Sequence, residues 1–347
     1  MKEITIRKPD DFHCHLRKGD LLKSVLIYTA RQFGRVLAMP NINPPILTAD
    51  DAREYEIEIK NALNDLADDV DSYKDFVLLK SIKLTNRTTP KIIHEAKKDG
   101  VLVGKAYPVG VTTNSDDGIS EFQEMEDVFS AMQEVGMALS IHGEAADSSI
   151  PALKKEEEFL PILDWIVKKF LRLRIVLEHL STEAAVNYIV WAPSNVVATI
   201  TAHHLVLTLD DIIGGALQPH NFCKPIAKTK RDRDALIEAA TSGNPKFFFG
   251  SDSAPHLKCS KETSAGAAGI FSAPVALPVL ADVFEKAGCI ENLENFVSVF
   301  GAQFYNLPLN YKEITLIKES WVVPTITSVS FFKMGEVMNW RVVQDEL

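Results

Sequence analysis

Apolar residues in this chain fall in short unbroken runs rather than in strict alternation with polar ones. Eight β-type runs recur: Ile4–Arg7 with Phe12–Leu16, Arg35–Met39, Phe76–Leu84, Val101–Tyr107, Ala138–His142, Arg174–His179, Val196–Ala202 and Lys246–Gly250. Most are rich in Val, Ile, Leu and Phe, the pattern of strands covered on both faces, as in a parallel sheet. The stretches between them read as helices: Thr48–Leu63, opened by a Thr-Ala-Asp cap signal, Thr89–Lys98 with Pro at its first helical position, Ser120–Val135, Pro151–Phe170, Thr182–Tyr188 and Lys230–Thr241. Strands alternating with helices eight times predict an α/β fold, a closed (β/α)8 TIM barrel. An open doubly wound sheet is the alternative. It usually announces a nucleotide site, and neither GxGxxG nor GxxxxGK[ST] occurs; Gly266-Ala-Ala-Gly269 follows no strand. Residues 1–347 are therefore read as a single barrel domain. The residues after about 292 pack as a C-terminal extension on its outside or bottom. The run Lys154-Lys155-Glu156-Glu157-Glu158 reads as a solvated helix face, and Asp10 and Asp11 as turn or capping residues.

Composition narrows the classes. With 347 residues, 46% hydrophobic and 24% charged, and with ordinary amounts of Gly and Pro, the chain is neither fibrous nor disordered. A net charge of −10 argues against a nucleic-acid partner, which needs a basic face to meet phosphates. No apolar run approaches the roughly 18 residues of a membrane span. The opening MKEITIRKPD lacks the apolar segment of a signal peptide. Cys14, Cys223, Cys259 and Cys289 are far apart and form no CxxC pair, which fits a reducing, cytoplasmic setting and excludes a zinc ribbon.

The nine histidines are not spread evenly. His13 and His15 end the first run, His142 the fifth and His179 the sixth; Asp252 and His256 follow the eighth. Active sites of barrels lie at the C-terminal ends of their strands. On a strand, residues i and i+2 share a face, so His13 and His15 can hold one cation while Cys14 packs the other way. A lone histidine after an apolar run is more often a hydrogen-bonded core residue; two at matching ends of neighbouring strands reverse those odds. Four histidines and one aspartate exceed the needs of one tetrahedral zinc with an open position, and suit two cations roughly 3.5–4 Å apart that ionise a shared water. Lys105, at the end of an apolar strand, leaves two readings open. Either it pairs with a carboxylate near the barrel mouth, or burial keeps its amine neutral and able to take up carbon dioxide as an anionic carbamate. Arg17, two residues beyond His15, has the fork geometry for a carboxylate. Asn41 ends the second strand. The segment 109–119, with Gly hinges and polar tips, has the make-up of a lid. His203, His204 and His220 are assigned no metal role.

Seven segments carry a resemblance: 7–17 (RKPDDFHCHLR), 38–41 (AMPN), 104–108 (GKAYP), 112–115 (TTNS), 141–144 (IHGE), 178–182 (EHLST) and 250–256 (GSDSAPH). Taken in order, they resemble the single-domain dihydroorotases of the amidohydrolase superfamily. By that resemblance His13, His15 and Asp252 bind one Zn2+, His142 and His179 a second, and Lys105, as N6-carboxylysine, bridges the two. It further implies that Arg17 and Asn41 hold the substrate carboxylate, that His15, His142 and His256 contact substrate, and that Lys224 and Ala268 touch the ring mainly through backbone atoms. Thr112 and Thr113 lie in a closing loop, and Asp252 is the catalytic proton carrier. The implied substrate pair is N-carbamoyl-L-aspartate and L-dihydroorotate; the implied assembly is a homodimer. Two positions depart from the usual pattern: Lys224 stands where bacterial members carry an apolar residue, and Cys14 replaces a leucine. A hydantoinase, sharing the HxH pair and bridging lysine, and a non-catalytic scaffold of the same fold are the alternatives; Arg17, Asn41 and the threonine loop favour dihydroorotate over the first, and the full ligand set disfavours the second.

Overall fold

The computed structural model describes residues 2–66, 75–325 and 328–343. Its strands in chain order are β1 Glu3–Arg7, β2 Asp10–Cys14, β3 Arg35–Ala38, β4 Val77–Leu79, β5 Ser81–Leu84, β6 Val103–Ala106, β7 Ala138–Ile141, β8 Ile175–Leu177, β9 Val196–Ile200, β10 Phe247–Phe249, β11 Glu313–Val322 and β12 Val337–Val342. β2, β3 and β4 pair in parallel, and β5 to β10 form a parallel run of six in sequence order. β4 and β5 are one barrel staff interrupted at Lys80, so the wall has eight members. It closes where Asp252 N donates to His13 O (2.8 Å) and His15 N to Ser253 O (2.9 Å).

Two acidic residues read as turn or capping groups are instead buried on β2. Asp10 receives both Arg35 Nε (2.8 Å) and Nη2 (2.5 Å), joining β2 to β3. Asp11 accepts from Ser251 N (2.8 Å) and Oγ (2.5 Å), joining β2 to the end of β10. Both carboxylates are fully buried, and each is hydrogen-bonded, as burial of such groups requires.

The pairing of β2 with β3 shifts register between Asp11 and Cys14. This irregularity lets Phe12 enter the barrel interior, beside Leu37, Val103, Ala138, Val176, Val197 and Phe248, while Cys14 packs in the larger core layer with the helices. Tyr305 stacks on Phe12 at 5.0 Å between ring centroids. Phe300 and Phe304 pack beneath, so the tail plugs the barrel floor. Gly301 is required by that approach, since a Cβ there would lie 2.3 Å from the Phe12 ring.

The extension also builds a separate antiparallel sheet in the order β1-β11-β12. The run Ile4–Arg7 therefore belongs with the tail, not with the first barrel strand. Two helices not singled out by the apolar pattern are Gly19–Gln32 and Ala276–Lys286. The first begins at Lys18 without a side-chain cap, so the usual start signal is missing. The charged run 154–158 is only partly a solvated face: Glu156 is buried, for a reason that lies at the site.

Replacing Gly301 by alanine is expected to lower unfolding free energy by about 1–3 kcal/mol through overpacking against Phe12, measured by urea denaturation; an unchanged midpoint would show that the floor can yield.

Candidate active site

The residues singled out in the sequence come from different strands and meet at one end of the barrel. His13 Nε2 and His15 Nε2 lie 3.4 and 3.1 Å from the same oxygen of Asp252. The three residues' ligand atoms lie within 4.8 Å of one another, a group that could hold a metal ion. The His179 ring lies beside those of His13 (5.0 Å) and His142 (4.7 Å). Lys105 is fully buried, its Nζ has no hydrogen-bond partner, and it sits 5.1 Å above the Tyr107 ring centroid. Nδ1 of both His15 and His179 is likewise buried without a partner. Buried polar groups are nearly always satisfied. A set of imidazoles, a carboxylate and a buried amine left short of partners is the donor chemistry of a divalent-cation site.

The electrostatics follow from burial. Desolvation lowers the Lys105 pKa to about 8, so more of its amine is uncharged near neutral pH than in an exposed lysine. Burial alone would raise Asp252, but hydrogen bonds with His13 and His15 outweigh it and hold the carboxyl well below its ordinary range. His15 is brought down to about 4 by burial, so its ring is neutral and has a lone pair to offer.

Carboxylates not picked out in the sequence orient these rings. Glu178, adjacent to His179, has Oε2 2.8 Å from His13 Nδ1 and is itself held by Ser140 Oγ (2.5 Å) and Thr199 Oγ1 (2.6 Å). Glu144, two residues after His142, engages His142 Nε2 at 2.7 Å. Partners of this kind fix imidazole orientation in metal sites. Acidic residues beside each strand-end histidine were the available signal. Glu156 accepts from Ser181 N (2.9 Å) and from the Thr182 hydroxyl, and so anchors the chain just after His179. His179 and Asp252, with Arg17, have left-handed backbones (φ 41°, 43° and 67°), an uncommon conformation for residues with side chains and one that clusters at functional sites.

One pocket is lined by His15, Arg17, Asn41, Thr112, Thr113, Lys224, Asp252, Ala254, Ala268 and Gly269. Arg17 Nε donates to Pro255 O (2.8 Å), and its Nη2 lies 3.0 Å from His256 Nε2. The same His256 nitrogen lies 2.9 Å from Ala268 O. Asn41 Nδ2 donates to Thr113 O (3.1 Å) and Asn114 Nδ2 returns to Asn41 O (2.9 Å), so the threonine loop is held against the end of β3. Ala254 and Gly269 are lining residues the sequence did not single out. His203, His204 and Cys223 form a second group whose ligand atoms lie within 4.8 Å. Both His204 nitrogens there are already engaged, Nδ1 by Thr201 and Nε2 by the Pro225 carbonyl. His220 pairs with Glu262 at 2.9 Å near the surface.

The Glu156 carboxyl is pushed up to about 7 by burial, from an ordinary 4.5. Between those values the folded protein keeps a proton that the unfolded chain has lost, so this group's contribution to stability falls as pH rises through that window. Glu156→Gln is thus expected to cost less, by on the order of 1–3 kcal/mol, at pH 8 than at pH 5 in urea denaturation. Equal cost at both pH values would contradict the shift.

Comparison with known proteins agrees with this architecture. The Amidohydrolase family matches residues 10–335. The chain is 43% identical to the dihydroorotase of Alkalilimnicola ehrlichii, covering 99% of this chain and 100% of that one. Identity is also 43% with the dihydroorotase of Aliivibrio fischeri strain MJ11, with 99% and 100% covered. Among solved structures, dihydroorotase from Saccharomyces cerevisiae in complex with 5-fluoroorotic acid superposes with a TM-score of 0.89 at 36% identity, covering 99% of each chain. An L-hydantoinase from Arthrobacter aurescens superposes at 0.81 with 16% identity, covering 97% of this chain and 82% of that one, a likeness of fold alone. The chain belongs to the amidohydrolase family and, within it, to the dihydroorotases.

Proposed function

We propose that this chain catalyses the reversible cyclisation of N-carbamoyl-L-aspartate to L-dihydroorotate, with loss of water, in pyrimidine biosynthesis. Near-full-length identity to dihydroorotases carries the reading, and the composition of the pocket supports it. His13, His15 and Asp252 would hold one zinc ion, His142 and His179 a second, and Lys105, carboxylated on Nζ, would bridge them. When bound, the two ions supply Lewis acidity that ionises water near neutral pH and polarises an amide carbonyl.

The chain's own residues bind, orient and move the proton. The Arg17 fork takes the substrate carboxylate, with Asn41 beside it. Backbone atoms of Lys224 and Ala268, and the rings of His15, His142 and His256, frame the dihydropyrimidine ring. Thr112 and Thr113 close over it and exclude bulk water. In the hydrolytic direction Asp252 accepts the proton of the attacking water and delivers it to the departing ring nitrogen; in ring closure it takes that proton back. Its depressed pKa keeps the carboxylate ionised. The overall charge of −10 does not draw in an anion, so attraction is local, from Arg17, Lys224 and the cations. The unit at work is the 1–347 barrel with its C-terminal extension, as a homodimer in the cytoplasm; sizing chromatography checks the dimer.

Turnover of dihydroorotate far above that of hydantoin, by protein carrying two zinc ions per chain, is the expected result; preference for hydantoin would overturn the assignment. Asp252→Asn is expected to reduce kcat by about 10²–10⁴-fold, with binding of 5-fluoroorotate much less affected; an unchanged rate would remove Asp252 from proton transfer. Lys105→Ala is expected to lose metal and activity together, with short carboxylic acids restoring part of both. Normal zinc content in that variant would exclude the bridge.

A further inference from the structure

Lys261 ends the short helix Lys258–Lys261 and is 4% exposed. Its Nζ donates to three backbone carbonyls: Phe222 O (3.0 Å), Ala267 O (3.0 Å) and Gly269 O (2.5 Å). An ammonium has three N–H donors, and here each finds a carbonyl. Those carbonyls belong to the two backbone segments that present Lys224 and Ala268 to the pocket. Phe222 lies two residues before Lys224; Ala267 and Gly269 flank Ala268.

The two segments also meet directly through the main chain. Gly269 N donates to Phe222 O (2.9 Å), and Ala267 N donates to Ser260 O (3.1 Å) beside the lysine's own helix. Ala268 O faces His256 Nε2 on the pocket side. Gly269 has φ 150°, and a Cβ there would meet Ala254 O at 2.7 Å, so glycine is what allows this backbone to pass so close to Ala254. A buried ammonium is costly to desolvate, and an apolar side chain would take this donor from the Ala267 and Gly269 carbonyls and leave Phe222 O only the Gly269 N–H. Lys261 itself does not line the pocket.

We propose that Lys261 is a positioning residue whose ammonium sets the spacing of the 222–224 and 267–269 backbone segments, and through it the grip on the ring edge of a cyclic ureide. The inference rests on the reading of this pocket as the dihydroorotate site. It separates two parts of recognition: Arg17 and Asn41 hold the carboxylate, whereas Lys261 acts from behind on the backbone that meets the ring's N–H and C=O groups. Removing it loosens binding while leaving the cation cluster and Asp252 in place.

The test uses the full-length, zinc-replete enzyme with Lys261→Met, Lys261→Gln and Lys261→Arg. In Lys261→Met, KM for dihydroorotate and Kd for 5-fluoroorotate, measured by calorimetry, are expected to rise together by about tenfold, the effect of losing a hydrogen bond to a charged donor. kcat should stay within about threefold of the parent and zinc content should be unchanged. Lys261→Arg, which keeps charge and donors, should recover part of the loss. Should Lys261→Met not fold, Lys261→Gln, which keeps two N–H donors, gives the same reading with a smaller rise. Unchanged KM and Kd in a folded Met or Gln variant would overturn the proposal, as would a fall in kcat with loss of zinc at constant Kd. If the parent enzyme neither turns over dihydroorotate nor binds 5-fluoroorotate, the reading of the pocket fails first and the Lys261 inference falls with it.

Discussion

Everything at the mouth of this barrel depends on one constraint: nitrogen donors are taken out of water without enough partners among themselves. The Lys105 amine and the Nδ1 atoms of His15 and His179 are buried and unpaired. Such groups cost stability unless a cation or a bound molecule satisfies them. The surrounding structure must therefore hold them in place against that cost. It does so through connections that have no chemistry of their own: Asp11 to Ser251 across the barrel seam, Asp10 to Arg35 between β2 and β3, and the Phe12, Phe248 and Tyr305 floor below.

A second layer of polar residues turns a collection of ligands into an oriented set. Glu178 spans three strands, holding His13 from β2 while accepting from Ser140 on β7 and Thr199 on β9. Glu144 fixes His142, and Glu156 fixes the chain after His179. These carboxylates explain why a strand-end histidine can face the centre of the mouth rather than rotate into a core hydrogen bond. The left-handed backbones of Arg17, His179 and Asp252 are part of the same device, since each turns a side chain at a strand end without lengthening the loop.

The gripping side of the pocket is built differently. Its lining brings the forked side chain of Arg17 and the amide of Asn41 together with loop residues Thr112, Thr113, Lys224 and Ala268. These loops are held by Asn41 with Asn114 on one side and by Lys261 on the other.

The alternation of most strands and helices, the parallel sheet and the strand-end clustering of His13, His15, His142, His179 and Asp252 were legible in the sequence, because unbroken apolar runs and i, i+2 spacing are local properties of the chain. So was the candidate role of Lys105, but only as one of two alternatives. The burial of its amine without a hydrogen-bond partner, in the field of the Glu178 and Asp252 carboxylates, comes from residues distant in sequence. Asp10, Asp11 and Glu156 were misread for the same reason: a charged residue carries no local sign that an arginine, a serine or a helix start distant in sequence will be waiting for it in the interior. The departure of Ile4–Arg7 from the barrel to join β11 was equally hidden, since an apolar strand fits either sheet and only its partner, some three hundred residues away, decides between them. Local spacing set which residues bear the chemistry; closure of the barrel, a long-range event, set which of their atoms meet.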